Sequence, residues 1–178
     1  MRISDMRAMV RLGLTAFLLT IAVAASAETQ TKPPPLAVFP VELWDTSGEG
    51  AKPDQAEKLA DATAILAKAV EKTGRYSVVD LTPYKDAIEK ASPRYACNGC
   101  WVPIAKEAGA TFAAISTIHK VSSLISSFDI SIANIETGKL VAYASGQFRG
   151  DTVESYTRSI AFLVNEELFK NDEPVAAK

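Results

Sequence analysis

Apolar positions along this chain fall into two rhythms, one of three and four residues and one of two. The first opens at Pro53-Asp54, where Leu59, Ala62, Leu66, Ala69 and Val70, with Ile65 beside them, form one stripe. Lys58, Asp61, Lys68 and Glu71 take the other side. That spacing predicts an amphipathic helix with one buried face. It stops at Thr73-Gly74, since glycine suits the left-handed position after a helix end. Ahead of it, Leu36 to Trp44 reads as a strand, apolar on both faces at its start. Pro40 moves that strand toward an edge or a bulge, because proline donates nothing to a ladder. Asp45 to Gly50 is loop by composition. Tyr76 to Asp80 is a short second strand, so strand, helix and strand make a right-handed βαβ unit with parallel strands.

Thr82-Pro83 opens a second predicted helix, the Thr82 hydroxyl as cap and proline in first position. It ends before Ser92-Pro93. A turn through Tyr95-Ala96-Cys97-Asn98-Gly99-Cys100 leads to a helix through Trp101, Ile104, Ala105 and Ala108, closed by Gly109. The second rhythm then takes over. Phe112 to Ser122 and Leu124 to Glu136 read as strands; in the latter Leu124, Phe128, Ile130 and Ile132 share one face, and Ser127, Asp129 and Ser131 the other. A period of two argues a sheet with one face on the core and one wetter. Glu136-Thr137-Gly138-Lys139 is a hairpin turn. In the third strand Leu140, Ala142, Ala144 and Phe148 alternate with Val141, Tyr143, Ser145 and Gln147. Asp151 to Phe169 is the last helix, striped by Val153, Tyr156, Ile160, Leu163, Val164 and Leu168. The order β-α-β-α-α-β-β-β-α predicts an α/β (α+β-like) domain. It has one mixed sheet, a βαβ unit plus an antiparallel three-strand meander, with helices mainly on one face.

The ends change the picture. Arg2, Arg7 and Arg11 precede an apolar run from Leu12 to Ala25, about 14 residues, too short for a bilayer roughly 30 Å thick. It closes in Ala25-Ser26-Ala27, the small-x-small pattern of a signal-peptidase site, so residues 1–27 read as a signal peptide cut after Ala27. Glu28 follows, not the cysteine that lipid attachment needs. Residues 28–35, with Pro33-Pro34-Pro35, read as an extended leader. Residues 36–170 then form a single globular domain, and 171–178 a frayed polar tail. Removing 27 of the 178 residues takes away three arginines and Asp5. That leaves 151 residues with 16 basic and 20 acidic side chains, a net of about −4. No basic patch with interleaved aromatics speaks for nucleic acid. No second apolar run is long enough to span a membrane. The chain reads as a periplasmic domain.

The residues Val38-Phe39-Pro40 with Asp45-Thr46-Ser47, Gly74-Arg75-Tyr76 with Val78-Val79-Asp80, Ile104-Ala105 with Gly109-Ala110, and Thr137-Gly138 carry a resemblance. In them the chain is similar to small exported bacterial domains: the N-terminal domain of TolB and the CsgG-type curli pore and penicillin-binding-protein activator modules. Cys97-Asn98-Gly99-Cys100, Lys120-Val121-Ser122 and Arg149-Gly150-Asp151-Thr152 look like a proteobacterial secreted family of unknown function. The resemblance spans roughly Leu36 to Phe169. It implies contact with other envelope proteins rather than catalysis.

The strongest chemical signal is the cysteine pair. In an oxidising periplasm Cys97 and Cys100 read as a disulfide, a staple that gains about 2 kcal/mol at best from so small a loop. The sharper alternative is a thiol–disulfide oxidoreductase, with Cys97 activated ahead of a helix. Against it, the motif follows a whole βαβα unit, and the only later prolines are Pro103 and Pro174. A zinc site needs more ligands than one CxxC and one histidine supply. His119 alone in a strand reads as a packed or surface residue. Arg149-Gly150-Asp151 spells an adhesion tripeptide by chance, with Asp151 as a candidate helix cap. Glu166-Glu167 read as a solvated edge. No nucleophile elbow, metalloprotease motif or phosphate loop appears. Neither a catalytic residue, a metal nor a cofactor is expected. What remains is a surface: His119, Asp129, Ser131, Tyr143, Gln147 and Arg149, polar or amphipathic on adjacent strands, form an expected partner-binding face. The reading is a non-enzymatic accessory or assembly protein that binds another envelope protein. The alternatives are the CxxC oxidoreductase and a small-ligand binding protein.

Overall fold

The structure, a computed structural model, describes residues 32–50 and 52–170. The expected signal peptide, the first half of the expected leader and the expected tail lie outside the described residues. Strands β1 (Pro35–Val38), β2 (Glu42–Asp45), β3 (Ser77–Val78), β4 (Phe112–Lys120), β5 (Ile125–Asn134) and β6 (Leu140–Arg149) form one mixed sheet. Its order is β3-β1-β4-β5-β6, with β2 beside β4 beyond the end of β1. β1 and β2 run parallel to β4, and β4, β5 and β6 are the antiparallel meander. β1, helix α1 (Gln55–Lys72) and β3 make the expected βαβ unit.

The strand expected from Leu36 to Trp44 is two short strands. Val38 stands opposite Ala114 and Glu42 opposite Thr117, so four steps on the outer chain match three on β4. The extra residue is a β-bulge at Pro40, and the next amide, that of Val41, leaves the ladder for the Thr63 hydroxyl at 2.9 Å. Parity flips across it. Leu36 and Val38 face the main core before the bulge, and Val41 and Leu43 after it.

That core lies between one sheet face and the two long helices, α1 and α4 (Val153–Phe162). Leu66, Val70, Ile118, Phe128, Ile130 and Ile160 are wholly buried in it. Gly146 lets β6 and the last helix meet closely, since a Cβ there would stand 3.0 Å from Leu163. Burial of so many large side chains, each worth about 1.5–3 kcal/mol, makes this the stabilising layer. The opposite face carries a smaller core of Ala37, Phe39, Ile88, Ile104, Ala105 and Ala113, covered by α2 (Lys85–Lys90) and α3 (Val102–Glu107).

Several local expectations change. Lys58 is not on the solvated side of α1; with Gln55 it extends the buried stripe and reaches the β6–α4 turn. Thr82 makes no side-chain cap; it lies in a short 3₁₀ turn where the Asp80 carboxylate accepts its amide at 2.9 Å. The last helix is capped by Thr152 and not Asp151: the Thr152 hydroxyl accepts from the Ser155 amide, and the Ser155 hydroxyl from the Thr152 amide. That reciprocal pair is a capping box. Leu163–Glu167 then widens into a π-turn, which a 3.6-residue stripe does not announce. Among the described residues no helix is long and apolar enough to cross a membrane.

Freed from capping, Asp151 is a buried hub. It takes Lys58 at 3.1 Å, Lys52 at 3.1 Å and the Tyr156 hydroxyl at 2.5 Å. Burial alone would raise its carboxyl, but Tyr156, Lys52 and Lys58 hold it down to about 2. The same burial and the carboxylate beside it push the Tyr156 hydroxyl above its ordinary range. An adhesion role for Arg149-Gly150-Asp151 does not fit so enclosed a carboxylate. Because the folded value lies below the ordinary 3.8, the stability Asp151 contributes is complete above about pH 4 and lost as pH falls through 2. It is worth about 2 kcal/mol. Urea unfolding of Asp151→Asn should show that loss at neutral pH and a flatter acid limb between pH 4 and 2.

Candidate functional site

Past the bulge, β2 turns Glu42 and Trp44 toward the second sheet face, and each does something different there. Trp44 stands opposite His119, which stands opposite Ser127, itself opposite Gln147. One row over, Thr117, Asp129 and Ser145 align, and beyond them Ile115, Ser131 and Tyr143. Helices α2 and α3 cover the near end of this face, over Ala37 and Ala113, and leave these rows open. His119, Asp129, Ser131, Tyr143 and Gln147 therefore share one face, with Arg149 exposed at its far end.

The rows are internally ordered. The His119 ring stacks on Trp44 at 4.0 Å and 17°, and its Nε2 shares a 2.9 Å hydrogen bond with the Thr46 hydroxyl. Trp44 stacks in turn with Tyr95 at 6.1 Å. The Tyr143 hydroxyl donates to one oxygen of Asp129 at 3.0 Å and the Ser127 hydroxyl to the other at 3.3 Å. The Ser131 hydroxyl donates to the Ile115 carbonyl at 3.2 Å. Trp44, Tyr95 and Tyr143 are nonetheless 46%, 40% and 54% exposed. An open groove of about 310 Å³ runs between Tyr95 and Trp101 on one side and Asp129, Ser131, Leu140 and Tyr143 on the other.

Glu42 holds the wall of that groove in place. Its buried carboxylate accepts from Arg94 Nη2 at 3.0 Å, the Arg94 amide at 2.7 Å, the Tyr95 amide at 3.2 Å and the Ser92 hydroxyl at 2.8 Å. Arg94 also donates to the carbonyls of Ile88 and Pro40, both at 3.0 Å. Burial lowers the Arg94 pKa and Glu42 opposes it; an arginine stays charged regardless. Just beyond, the sulfurs of Cys97 and Cys100 are 2.05 Å apart, with Cα atoms at 5.8 Å. The bridge closes the turn between Tyr95 and Trp101. Among the described residues no group of three or more His, Cys, Asp and Glu is placed to hold a metal ion.

Sequence reasoning missed Trp44, Tyr95, Trp101 and the Glu42–Arg94 pair. Reading parity straight through Pro40 puts Trp44 in the main core. The available signal was the polar–apolar alternation Glu42-Leu43-Trp44, which is out of phase with Leu36 and Val38.

The site thus sits on a mixed α/β domain with a half-covered sheet and an aromatic-rich open face. The chain belongs to the family described as "Protein of unknown function (DUF2380)", whose model matches residues 34–168. No curated protein matches its sequence. Among solved structures it is similar to the PelC dodecamer from Paraburkholderia phytofirmans, at 13% identity and a TM-score of 0.52. That match covers 75% of this chain and 86% of the other. It is similar to the LpoB C-terminal domain from Salmonella enterica, at 18% identity and a TM-score of 0.49, covering 68% and 86%. The resemblance to TolB appears in the protein from Acinetobacter baumannii, at 9% identity and a TM-score of 0.43, covering 76% of this chain and 27% of that one.

Replacing Glu42 by Gln leaves the Arg94 guanidinium buried without its counter-charge, a change that costs about 3–5 kcal/mol when a buried pair is broken. Chemical unfolding should show that loss, and hydrogen exchange should show the Arg94 and Tyr95 amides opening while those of β5 stay protected.

Proposed function

We propose that this is a non-enzymatic accessory or assembly protein of the bacterial periplasm, exported by cleavage after Ala27. It binds another envelope protein through the open sheet face. One observation carries the reading: Trp44, Tyr95 and Tyr143 stay exposed while being held rigid by stacking and by Asp129. Aromatic side chains of this kind supply large contact area at small entropic cost, and they dominate the energetics of protein interfaces. Ser131, Gln147 and Arg149 add the polar rim that such a contact needs. Cys97 and Cys100 act as a structural clip for the groove wall and not as a redox centre.

Site-specific photocrosslinking at Tyr143 in intact cells, followed by mass spectrometry, names the partner. Trp44→Ala with Tyr143→Ala should cut capture of that partner at least about tenfold, a loss of roughly 1.4 kcal/mol or more. Both positions are exposed, so the unfolding midpoint should barely move. Unchanged capture by the double variant sinks the reading. Cys97→Ser with Cys100→Ser should leave the protein without a redox phenotype; cycling of these sulfurs on a cellular substrate favours the oxidoreductase instead.

A further inference from the structure

A second site lies at the opposite edge of the sheet and owes nothing to the open face. β3 pairs with β1 at Pro35 and Leu36 only, and its last bond is from the Val79 amide to the Leu36 carbonyl at 3.0 Å. The chain then turns away into the 3₁₀ turn at Thr82. The helical layers do not turn away with it. α1 continues on one side and α2 on the other, so a slot about 1170 Å³ in volume opens between them. Its floor is the outer edge of β1. Phe39 donates its amide to Ala114 on β4, and alternation along a parallel strand turns the Val38 amide and carbonyl the other way, into the slot. Beyond it Pro40 has no amide and its carbonyl takes Arg94. The walls are Ala64 and Ala67 of α1, Ile88 of α2, and Val79 with Leu81.

We propose that this slot accepts an extended segment of another protein as an added strand, a run of small or medium apolar residues flanked by lysine or arginine. The backbone groups of Val38 are ones a strand can use and a helix cannot, because a helix spends its own internally. The volume exceeds the roughly 300–1,000 Å³ of small-molecule pockets. Short walls at Ala64 and Ala67 leave room for alternate side chains. Charge selects the flanks: Glu71, Asp80 and Glu89 line the slot against Lys85, and none of the four is in an ion pair among the described residues. Arg94, the other cation there, is committed to Glu42.

The test titrates the isotope-labelled exported chain with three synthetic peptides sharing an alternating valine–alanine core. One has lysine ends, one glutamate ends, and one lysine ends with a central proline. The lysine-ended peptide should shift the amides of Val38, Val79, Leu81 and Ala67, and it should bind at least about fivefold tighter than the glutamate-ended one, roughly 1 kcal/mol. The central proline should abolish binding. Ala64→Arg, at an exposed position on the same wall, should weaken it about tenfold or more without lowering the unfolding midpoint, and Glu71→Lys with Glu89→Lys should reverse the flank preference. Trp44→Ala should leave the titration unchanged, which separates this site from the open face. No binding of the lysine-ended peptide, equal binding of the proline peptide, a helical bound conformation, or shifts confined to the Trp44 face would each overturn the proposal.

Discussion

A one-residue skip at Pro40 governs much of this molecule. From Val38 to Glu42 the outer chain advances four residues while β4 advances three, and the skip exchanges the two faces of everything after it. Leu43 then fills the main core while Glu42 and Trp44 turn to the other side. Run straight through, the register would have buried a tryptophan and a carboxylate under α1 and left a leucine in water. Period-two patterning makes such an exchange all or nothing. The aromatic stack, the anchor for Arg94 and the shape of the β1 edge all follow from this one step.

Polar anchors then fix the loops that the sheet alone would leave loose. Lys120 is buried at the end of β4 and reaches back to Glu49 at 3.0 Å and Asp45 at 3.5 Å. Burial works against its charge, but the two carboxylates win and hold its pKa above the ordinary lysine value. Asp151 does the same for the β6–α4 turn, and Glu42 for the segment around Arg94. In each case one charged end is enclosed and its partners come from a distant part of the chain. The short motifs Lys120-Val121-Ser122 and Arg149-Gly150-Asp151-Thr152 thereby acquire a plain structural meaning. The first supplies a buried cation and the second a buried anion followed by a helix cap.

This division explains what the sequence disclosed. Stripes in α1 and the last helix were legible because large apolar residues repeat at helical spacing, and the meander was legible because Phe128, Ile130 and Ile132 alternate with small polar groups. The face bearing His119, Asp129, Ser131, Tyr143 and Gln147 followed from the same alternation. Lys58 and Glu42 were not legible. A charged residue reads as solvent-facing until its counter-charge is known, and here the counter-charges lie far away in sequence, at Asp151 and Arg94. Trp44 was hidden by the phase change at Pro40, and Tyr95 by sitting in a turn with no period at all. The strand expected from Tyr76 to Asp80 keeps only Ser77–Val78, and the helix expected from Thr82-Pro83 starts at Lys85, because tertiary packing, not local propensity, decides where such short elements stop.

The far side of the sheet raises a different matter. β6 ends the strand order with ten residues and an outer edge that no described strand occupies. Exposed edges of this length invite sticking between molecules. Here Lys139 precedes the strand and Arg149 ends it, so a head-to-tail zipper of two molecules centred on Ala144 sets cation against cation at both ends. The register shift at Ile132 and Ala133 adds local twist that spoils a flat match. The molecule thus carries its own guard against clumping in a crowded compartment, and neutralising those two cations removes it.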